Sequence, residues 1–302
     1  MIHGILNVYK EKGYTSHDVV AKLRRITGQK KIGHTGTLDP DATGVLPVCL
    51  GKATKLCDLL TDKDKTYEAV LLLGKSTDTQ DISGQILEEK DTSGLNEQHV
   101  ADVIQSFVGG YDQVPPMYSA LKVEGKKLYE LAREGKVVAR KPRRVEIYQI
   151  RILEVELPRV KMEVSCSKGT YIRTLCHDIG EKLGCGGCME ALARTRVGRF
   201  SLTDAVKLEE IEKLQKEECL GEILIPVDAM FSDYGKMVVK DRWCAFAKNG
   251  NILSEDMIFR CRDTLHDQEN VRLYDETGHF IALYRFHEKE REYHIVKMFF
   301  NE

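Results

Sequence analysis

Gly33-His34-Thr35-Gly36-Thr37-Leu38-Asp39-Pro40-Asp41-Ala42-Thr43-Gly44-Val45-Leu46-Pro47 is the most informative stretch of the chain. Its three glycines and two prolines exclude a helix interior or a central strand, because glycine costs backbone entropy and proline lacks a donor. We therefore expect a loop. The apolar side chains of Leu38, Val45 and Leu46 should anchor that loop to the core and hold the carboxylate of Asp39 in one place. A fixed carboxylate is what nucleophilic or acid–base chemistry requires.

Loop composition alone leaves a purely structural turn equally open, in which the aspartates bond to their own backbone. Two phosphate motifs can be tested against the chain. A Walker loop fails because Gly51-Lys52 is followed by Ala53 rather than by Ser or Thr. The spacing of Asp39 and Asp41 fits the aspartyl-phosphate nucleophile of haloacid-dehalogenase-type phosphatases, but no apolar strand precedes Asp39.

The stretch resembles the signature of the TruB family, the bacterial tRNA pseudouridine-55 synthases. The matching pattern is Gly-His-Thr-Gly-Thr-Leu-Asp-Pro-x-Ala-Thr-Gly-Val-Leu-Pro, and the resemblance implies that Asp39 is the catalytic residue. Glu11 departs from the family, which usually has proline at that position. Further TruB-like stretches follow in the family's order and extend the resemblance over roughly residues 2–200: residues 10–20, 65–69, 115–122, 169–175 and 191–198.

The resemblance assigns roles to side chains in these stretches. It implies that Arg173 pairs with Asp39. In a dry cleft we expect the arginine to lower the pKa of the carboxyl and to orient it bidentately. A lone tyrosine is more often a core residue, but the resemblance implies that Tyr67 packs on the target uracil and acts as a base in a later step. The other residues predicted to bind the substrate are Lys10, His34, Tyr171 and Leu192.

The implied reaction explains why no cofactor and no metal are expected. Converting uridine to its C-glycoside breaks the bond from N1 to C1′, turns the uracil and joins C5 to C1′, without redox change or group transfer. The aspartate could add to C1′, add to uracil C6, or remove the 2′ proton, and the residues leave all three routes open. The target uridine, position 55 in the T-loop of tRNA, has to be flipped out of the folded RNA.

The fold class implied by the resemblance is α+β, the pseudouridine synthase fold, with a mixed and largely antiparallel central sheet. We place this catalytic domain at residues 1–235. From about residue 236 the pattern changes to short strands and glycine turns, which predicts a small β-barrel. It looks like the PUA type of RNA-binding module, and we place it at residues 236–302.

Lysine and arginine are concentrated between residues 122 and 151, where ten of them face four glutamates, although the whole chain has a net charge of -2. Such a run is often only a solvated face, but it is also the footprint of phosphate contact. In the TruB family this region is an insertion that closes over the T-arm of tRNA, here about residues 119–146. The predicted RNA contacts are Lys126, Lys127, Arg140, Lys141, Arg143 and Arg144.

The nine cysteines show no regular framework, which indicates a reducing compartment and free thiols. Cys185-Gly186-Gly187-Cys188, with Cys176-His177 upstream, is the one candidate for zinc. Structural zinc sites usually have two well-spaced ligand pairs, so we predict neither a metal nor a redox role. No signal peptide or membrane span is predicted. We expect a cytoplasmic monomer that binds the T-arm and elbow of tRNA, with no membrane and no obligatory protein partner.

Three functions of different classes therefore remain. The first is a tRNA uridine isomerase, and the second is a non-catalytic RNA-binding or tRNA-folding protein. The third is a Mg-dependent phosphatase built on Asp39 and Asp41. An assay for pseudouridine in unmodified tRNA, with a chelator present, separates the three.

Overall fold

The computed structural model describes residues 1–123, 125–260 and 265–300, and their strands form two large sheets and two short hairpins. The strands are β1 (Gly4–Lys10), β2 (Ile32–His34), β3 (Thr43–Leu50), β4 (Lys65–Leu73), β5 (Lys75–Thr77), β6 (Ile86–Glu89), β7 (Gly109–Gln113), β8 (Lys122–Val123), β9 (Lys126–Lys127), β10 (Arg143–Glu156), β11 (Arg159–Cys166), β12 (Gly187–Val197), β13 (Phe200–Ser201), β14 (Val206–Lys207), β15 (Gly235–Val239), β16 (Leu253–Ser254), β17 (Ile258–Arg260), β18 (Asn270–Tyr274), β19 (Phe280–His287) and β20 (Glu292–Met298). The α-helices are α1 (Ser16–Thr27), α2 (Cys57–Thr61), α3 (Glu97–Gln105), α4 (Leu128–Arg133), α5 (Ile172–Leu183), α6 (Leu208–Lys216) and α7 (Asp241–Lys248).

The first sheet has the strand order β14-β1-β3-β12-β4-β11-β10-β7, with β2 paired to β3 and β13 paired to β12. The pairs β1–β14 and β3–β12 are parallel, and the other strand pairs described in this sheet are antiparallel. The mixed, largely antiparallel sheet expected from the sequence is therefore confirmed. This order places the loop between β2 and β3 beside the central strands β12 and β4.

Helices cover the sheet because their apolar stripes match the helical period. On α5 the stripe of Ile172, Leu175 and Ile179 is buried against the sheet, and each such side chain stabilises the fold by about 2 kcal/mol. α1 begins with a capping box between Thr15 and Asp18 and ends at Gly28 with φ 65°. Glycine favours that left-handed conformation. The sequence predicts a helix that starts at Thr15-Ser16-His17-Asp18, with a hydroxyl cap and an early acid, and ends at Gly28, and the structure confirms these bounds.

The sequence alone predicts helical segments over residues 53–60, 126–134 and 202–220, and in each of them the α-helix is shorter than predicted. The helix expected over residues 126–134 is limited to α4 because residues 126–127 pair with β8 in a hairpin. The helix expected over residues 53–60 begins as a 3-10 helix, Gly51–Leu56, before α2. The segment expected over residues 202–220 contains α6 alone as α-helix, because β14 pairs with β1 and takes the residues before it.

The second sheet begins at Gly235 and has the order β16-β20-β19-β18-β15-β17. It curves into a nearly closed barrel whose core includes Met237, Leu273 and Tyr284, and the predicted PUA-like fold is confirmed at this level. Residues 261–264 and 301–302 of the predicted module lie outside the described residues. Among the described residues, the helices lack the length and apolar character that crossing a bilayer requires.

Candidate active site

Asp39 and Arg173 lie in direct contact although 134 residues separate them in the chain. Arg173 Nε is 3.0 Å from Asp39 Oδ2, and its Nη2 donates to Asp39 Oδ1 at 3.2 Å. The two contacts form the bidentate pair expected from the sequence. The arginine side chain is 7% exposed and the aspartate side chain 37% exposed, so the carboxylate keeps one open side.

The Arg173 guanidinium has three further acceptors, which sequence reasoning missed. Its Nη1 donates to the Thr79 carbonyl and to Asp81 Oδ2, both at 3.3 Å. Its Nη2 donates to the Tyr118 carbonyl at 2.9 Å. Asp81 is held in turn by the Thr79 hydroxyl at 2.9 Å. The sequence carries a weak signal for this contact, a polar run of Thr and Asp between two strands, but that signal does not say which arginine it meets.

The pKa of Asp39 lies above its ordinary value of 3.8. Burial is the main cause, and the nearby Asp81 adds to it, whereas Arg173 and Lys10 act in the opposite direction without cancelling it. The predicted net lowering of this pKa is therefore wrong, although the arginine acts with the predicted sign. Enclosure by protein disfavours the charged form more than one cation restores it.

The loop that carries Asp39 covers residues 35–42, because residues 33–34 belong to β2 and residues 43–47 belong to β3, which pairs with β1 and β12 inside the sheet. The loop predicted over residues 33–47 is therefore confirmed only in its middle, and the exclusion of a central strand is wrong for residues 43–47. The loop is tied to the body of the domain. Leu38, Val45 and Leu46 are buried. The Leu38 amide donates to the Ser16 hydroxyl at 2.9 Å, and the Gly13 amide donates to the Pro40 carbonyl at 2.9 Å. The segment around α1 therefore holds the loop through these two hydrogen bonds and limits the movement of the carboxylate.

Lys10 lies beneath this loop and is fully buried. Its Nζ donates to the carbonyls of Ala42 at 2.6 Å, Pro40 at 3.0 Å and Glu11 at 3.1 Å. Burial lowers its pKa to about 8. All three donors of the ammonium group are used inside the protein, so the structure places the lysine as a support of the loop. The carbonyl of Glu11, rather than its side chain, takes part in this support.

Lys10→Met is expected to lower kcat by about tenfold or more while the Kd for tRNA changes little, because three buried carbonyls lose their donor and the loop loosens. The free energy of unfolding should fall by about 1–3 kcal/mol for the same reason. Denaturant unfolding and single-turnover kinetics measure the two effects. A raised Kd with an unchanged kcat would instead place Lys10 on the substrate, as the sequence suggested.

Tyr67 and Leu192 face the loop from the two neighbouring central strands. Tyr67 on β4 is buried, and burial raises its pKa to about 12. The opposing Arg194 side chain acts to lower that pKa. Leu192 on β12 packs with Tyr67 and Leu38 in one hydrophobic cluster. An apolar wall next to a carboxylate is suited to packing against a flat, uncharged nucleobase.

His34 and Tyr171 lie at the ends of the elements that enclose the site. His34 Nδ1 accepts from the Gly36 amide at 3.3 Å, and burial lowers the pKa of this imidazole. Tyr171 is the residue before α5, and burial raises its pKa. The buried Gln113, missed by sequence reasoning, accepts from the Tyr171 amide at 2.8 Å and donates to the Tyr171 carbonyl at 2.9 Å.

The basic segment starts next to this site, because the Tyr118 carbonyl already contacts Arg173. Lys126, Lys141, Arg143 and Arg144 are exposed. Four of the six predicted RNA contacts have close protein partners. Lys126 Nζ is 3.8 Å from Glu134, and Arg144 Nη1 is 3.8 Å from Asp112 Oδ2. Lys127 Nζ donates to the Tyr129 hydroxyl at 3.2 Å, and Arg140 Nη1 donates to the Pro115 carbonyl at 3.0 Å. Arg140 therefore also connects the basic segment to Pro115, which lies just before it in the chain.

The cysteines of the suggested zinc site do not converge with other ligands. Cys185 Sγ donates to the Gly186 carbonyl at 3.3 Å, while burial raises the pKa of Cys176 and of Cys188. Within the residues that the structure describes, no group of three or more His, Cys, Asp or Glu side chains is placed to hold a metal ion.

Two parts of the chain match known protein domains. The N-terminal domain of the TruB family of pseudouridylate synthases matches residues 24–172, and the C-terminal domain of tRNA pseudouridylate synthase B matches residues 173–232. A tRNA pseudouridine synthase B from Lachnoclostridium phytofermentans is 55% identical in an alignment of 309 residues, which covers 99% of this chain and 100% of that protein. One from Alkaliphilus oremlandii is 47% identical over 88% of this chain and 87% of that protein.

Solved structures share the fold over nearly the whole chain. A structure of an H/ACA RNP bound to a substrate RNA containing 2′-deoxyuridine has a TM-score of 0.71 and 26% identity, and the match covers 99% of this chain and 86% of that one. A Cbf5-Nop10-Gar1 complex also has a TM-score of 0.71, with 28% identity and coverage of 99% and 85%.

A mixed sheet that carries an arginine-paired aspartate at its centre, followed by a PUA-like barrel, defines a pseudouridine synthase. Within this class of isomerases, the chain belongs to the TruB family.

Proposed function

We propose that this protein converts uridine to pseudouridine at position 55 in the T-loop of tRNA, with Asp39 as the nucleophile or base. The observation that carries the proposal is the Asp39–Arg173 pair, 3.0 Å apart, at the base of a basic insertion. Family membership supports the reaction, and the names of the relatives support tRNA as the substrate.

The residues around the pair divide the work of this reaction. Arg173 orients the carboxylate so that its open side faces the sugar of a flipped-out uridine. Tyr67 and Leu192 form the wall against which the uracil packs and turns, and His34 and Tyr171 close the pocket around it. The step carried out by Asp39 involves either C1′, uracil C6 or the 2′ proton.

The rest of the chain binds the RNA in this proposal. The basic insertion, about residues 119–146, contacts backbone phosphates of the T-arm, and the barrel, residues 236–302, is a PUA-like RNA-binding module beside the catalytic domain at residues 1–235. RNA helices are recognised mostly through shape, phosphates and 2′-hydroxyls. The protein acts as a monomer in the cytoplasm, where its tRNA substrate is found.

The phosphatase alternative is disfavoured by what surrounds the carboxylate. The charge next to Asp39 is balanced by the guanidinium of Arg173, which takes the place that a bound cation would need. Asp41, the second residue of that alternative, is exposed. The non-catalytic alternative gives no reason why the chain would hold the Asp39 carboxylate in a fixed orientation against Arg173.

The proposal is tested by incubating the purified protein with an unmodified tRNA transcript, a chelator and a polyamine that keeps the RNA folded. Pseudouridine should form at position 55, and a transcript with cytidine there should gain none. Absence of product, or product confined to another position, would refute the proposal. Release of phosphate instead would favour the phosphatase.

Replacing Lys141, Arg143 and Arg144 together by glutamine is expected to weaken tRNA binding and flatten its salt dependence. Each lost phosphate contact removes about 0.7–0.9 from the slope of log K against log salt, so the slope should fall by about two. Arg140 is left intact because it bonds to the Pro115 carbonyl.

The control for this triple variant replaces three exposed lysines beside or on α6, Lys207, Lys213 and Lys216, by glutamine. The charge change is equal, but these lysines lie among glutamates. Binding titrations at several salt concentrations compare the two. Equal slopes for both triple variants would mean that residues 141–144 face solvent in the complex.

A further inference from the structure

Arg194 on β12 is a buried cation with no acidic partner. Its side chain is among the largest fully buried ones, with 1% exposure. The described residues include no Asp or Glu in an ion pair with it, and it donates to main-chain carbonyls instead. A buried charge without a counter-charge is costly, so a site that keeps one calls for an explanation beyond packing.

The carbonyls that Arg194 binds flank the catalytic loop. Its Nε donates to the Val45 carbonyl at 2.8 Å and its Nη2 to the Gly36 carbonyl at 3.3 Å. Asp39 lies between these two residues in the chain. The main chain of Arg194 also pairs with Gly44, where a Cβ atom would lie 2.2 Å from the Arg194 carbonyl oxygen. One arginine thus holds both ends of the loop.

The third neighbour of Arg194 is Tyr67. The two residues are direct cross-strand partners in the β12–β4 pair, and the positive charge of Arg194 acts to lower the pKa of the Tyr67 phenol, which burial raises. The other titratable groups that act on the phenol are Cys166 on β11 and Asp39 on the loop, and both disfavour its ionised form. Arg194 is therefore the group that supports loss of the Tyr67 proton.

We propose that Arg194 is a positioning residue, which fixes the two ends of the Asp39 loop and places a positive charge next to Tyr67, its cross-strand partner. The inference rests on the proposed function in so far as Tyr67 takes part in the reaction. It adds a role for the unpaired charge, because the guanidinium would be the counter-charge of a Tyr67 phenolate, which is the form in which this residue can accept a proton as a base.

The first test measures ionisation at position 67 without any RNA. A fluorinated tyrosine, which ionises at a lower pH than tyrosine, is incorporated at position 67 and titrated by fluorine NMR. Arg194→Met should raise the pKa of this residue by about one pH unit or more, because the compensating charge is gone. Arg194→Lys keeps a positive charge and should leave most of the stabilisation in place.

Lys65→Met is the matched control. Lys65 is also buried, lies two residues from Tyr67 on β4, and donates to the Thr61 and Lys63 carbonyls at 2.7 and 2.6 Å. The Lys65→Met substitution should leave the pKa of the fluorinated tyrosine at position 67 nearly unchanged. An unchanged titration in Arg194→Met, or an equal rise in Lys65→Met, would overturn the inference.

The second test uses kinetics with natural tyrosine and unmodified tRNA. Arg194→Met should lower kcat by about a hundredfold with KM changed less than about threefold, since the defect lies in positioning rather than in binding. Arg194→Lys should lose less in kcat, but still some, because a point charge does not span two carbonyls. A KM effect alone would contradict the inference. If the wild-type enzyme made no pseudouridine, the proposed function would fail while the titration would still decide the role of Arg194.

Discussion

Asp39→Asn should abolish pseudouridine formation, with a rate at least about a thousandfold below that of the unaltered protein, because an amide can neither attack carbon nor accept a proton as a carboxylate does. tRNA binding should be retained. The amide has the same shape, and Arg173 keeps its bonds to Thr79, Asp81 and Tyr118. The fold should also be retained, so the melting temperature should stay within a few degrees of the wild-type value.

Asp41→Asn is the control for this substitution. Asp41 lies two residues away in the same loop and is exposed, so its loss changes the loop's charge equally without touching the reacting group. Its activity should stay within about threefold of wild type, as is usual for surface changes away from structural features. Comparable losses in the two variants would mean that loop charge, rather than the Asp39 carboxylate, is what the reaction needs.

The raised pKa of Asp39 adds a pH dependence with a defined sign. Only the ionised carboxylate can react, and burial favours the protonated form, so kcat should decline on the acid side at a pH above the ordinary aspartate value of 3.8. Because the folded-state pKa is raised, the contribution of this group to the free energy of unfolding is full below 3.8, falls as the pH rises through the folded-state pKa, and is lost above it. Asp39→Asn should therefore remove this part of the decline in the free energy of unfolding with pH.

Arg173→Lys should be the second most damaging substitution, with a loss of about a hundredfold or more in kcat, because a lysine point charge cannot replace a planar, bidentate fork. The guanidinium bonds to two carboxylates and two carbonyls in three separate segments. Lysine has three donors and would leave at least one of these buried acceptors unpaired, which also lowers stability by about 1–3 kcal/mol.

Kinetics and thermal unfolding measure the two consequences of Arg173→Lys. Arg196→Lys is a matched control, because Arg196 is an exposed arginine on β12 and should tolerate the same replacement. A kcat near wild type in Arg173→Lys, with Asp39 still required, would show that the charge alone suffices and that the bidentate geometry carries no catalytic weight.

Sequence could predict this site in so far as the information is local. The composition of residues 33–47 predicts an anchored loop, which is correct for residues 35–42 but not for residues 33–34 and 43–47, because strand pairing within the sheet overrides the local preference there. The capping residues around α1 define that helix because they act over a few residues. The family resemblance identified Asp39 and Arg173 as a pair, which composition alone could not do. It also implied the sheet type, whereas the C-terminal barrel was predicted from the short strands and glycine turns that begin near residue 236.

Other parts of the site depend on contacts between distant segments. Asp81 meets Arg173 across 92 residues, and Gln113 meets Tyr171 across 58, so no spacing rule could have found either one. The pKa of Asp39 was misjudged because its sign depends on the balance between burial and Arg173, and burial is a property of the whole fold. The support that Lys10 gives the loop could not be predicted for a similar reason, since its three carbonyl partners become visible only when the loop is folded over it.

The central claim is that the carboxylate of Asp39 drives the isomerisation of a uridine in tRNA. It is tested most directly under single-turnover conditions, with enzyme in excess over tRNA that carries tritium at C5 of its uridines, because forming the bond from C5 to C1′ releases that hydrogen to water. The account predicts that the unaltered protein releases the tritium of one uridine per tRNA, and that Asp39→Asn binds the same tRNA but releases none. Release by Asp39→Asn at a rate comparable to that of the unaltered protein would contradict it.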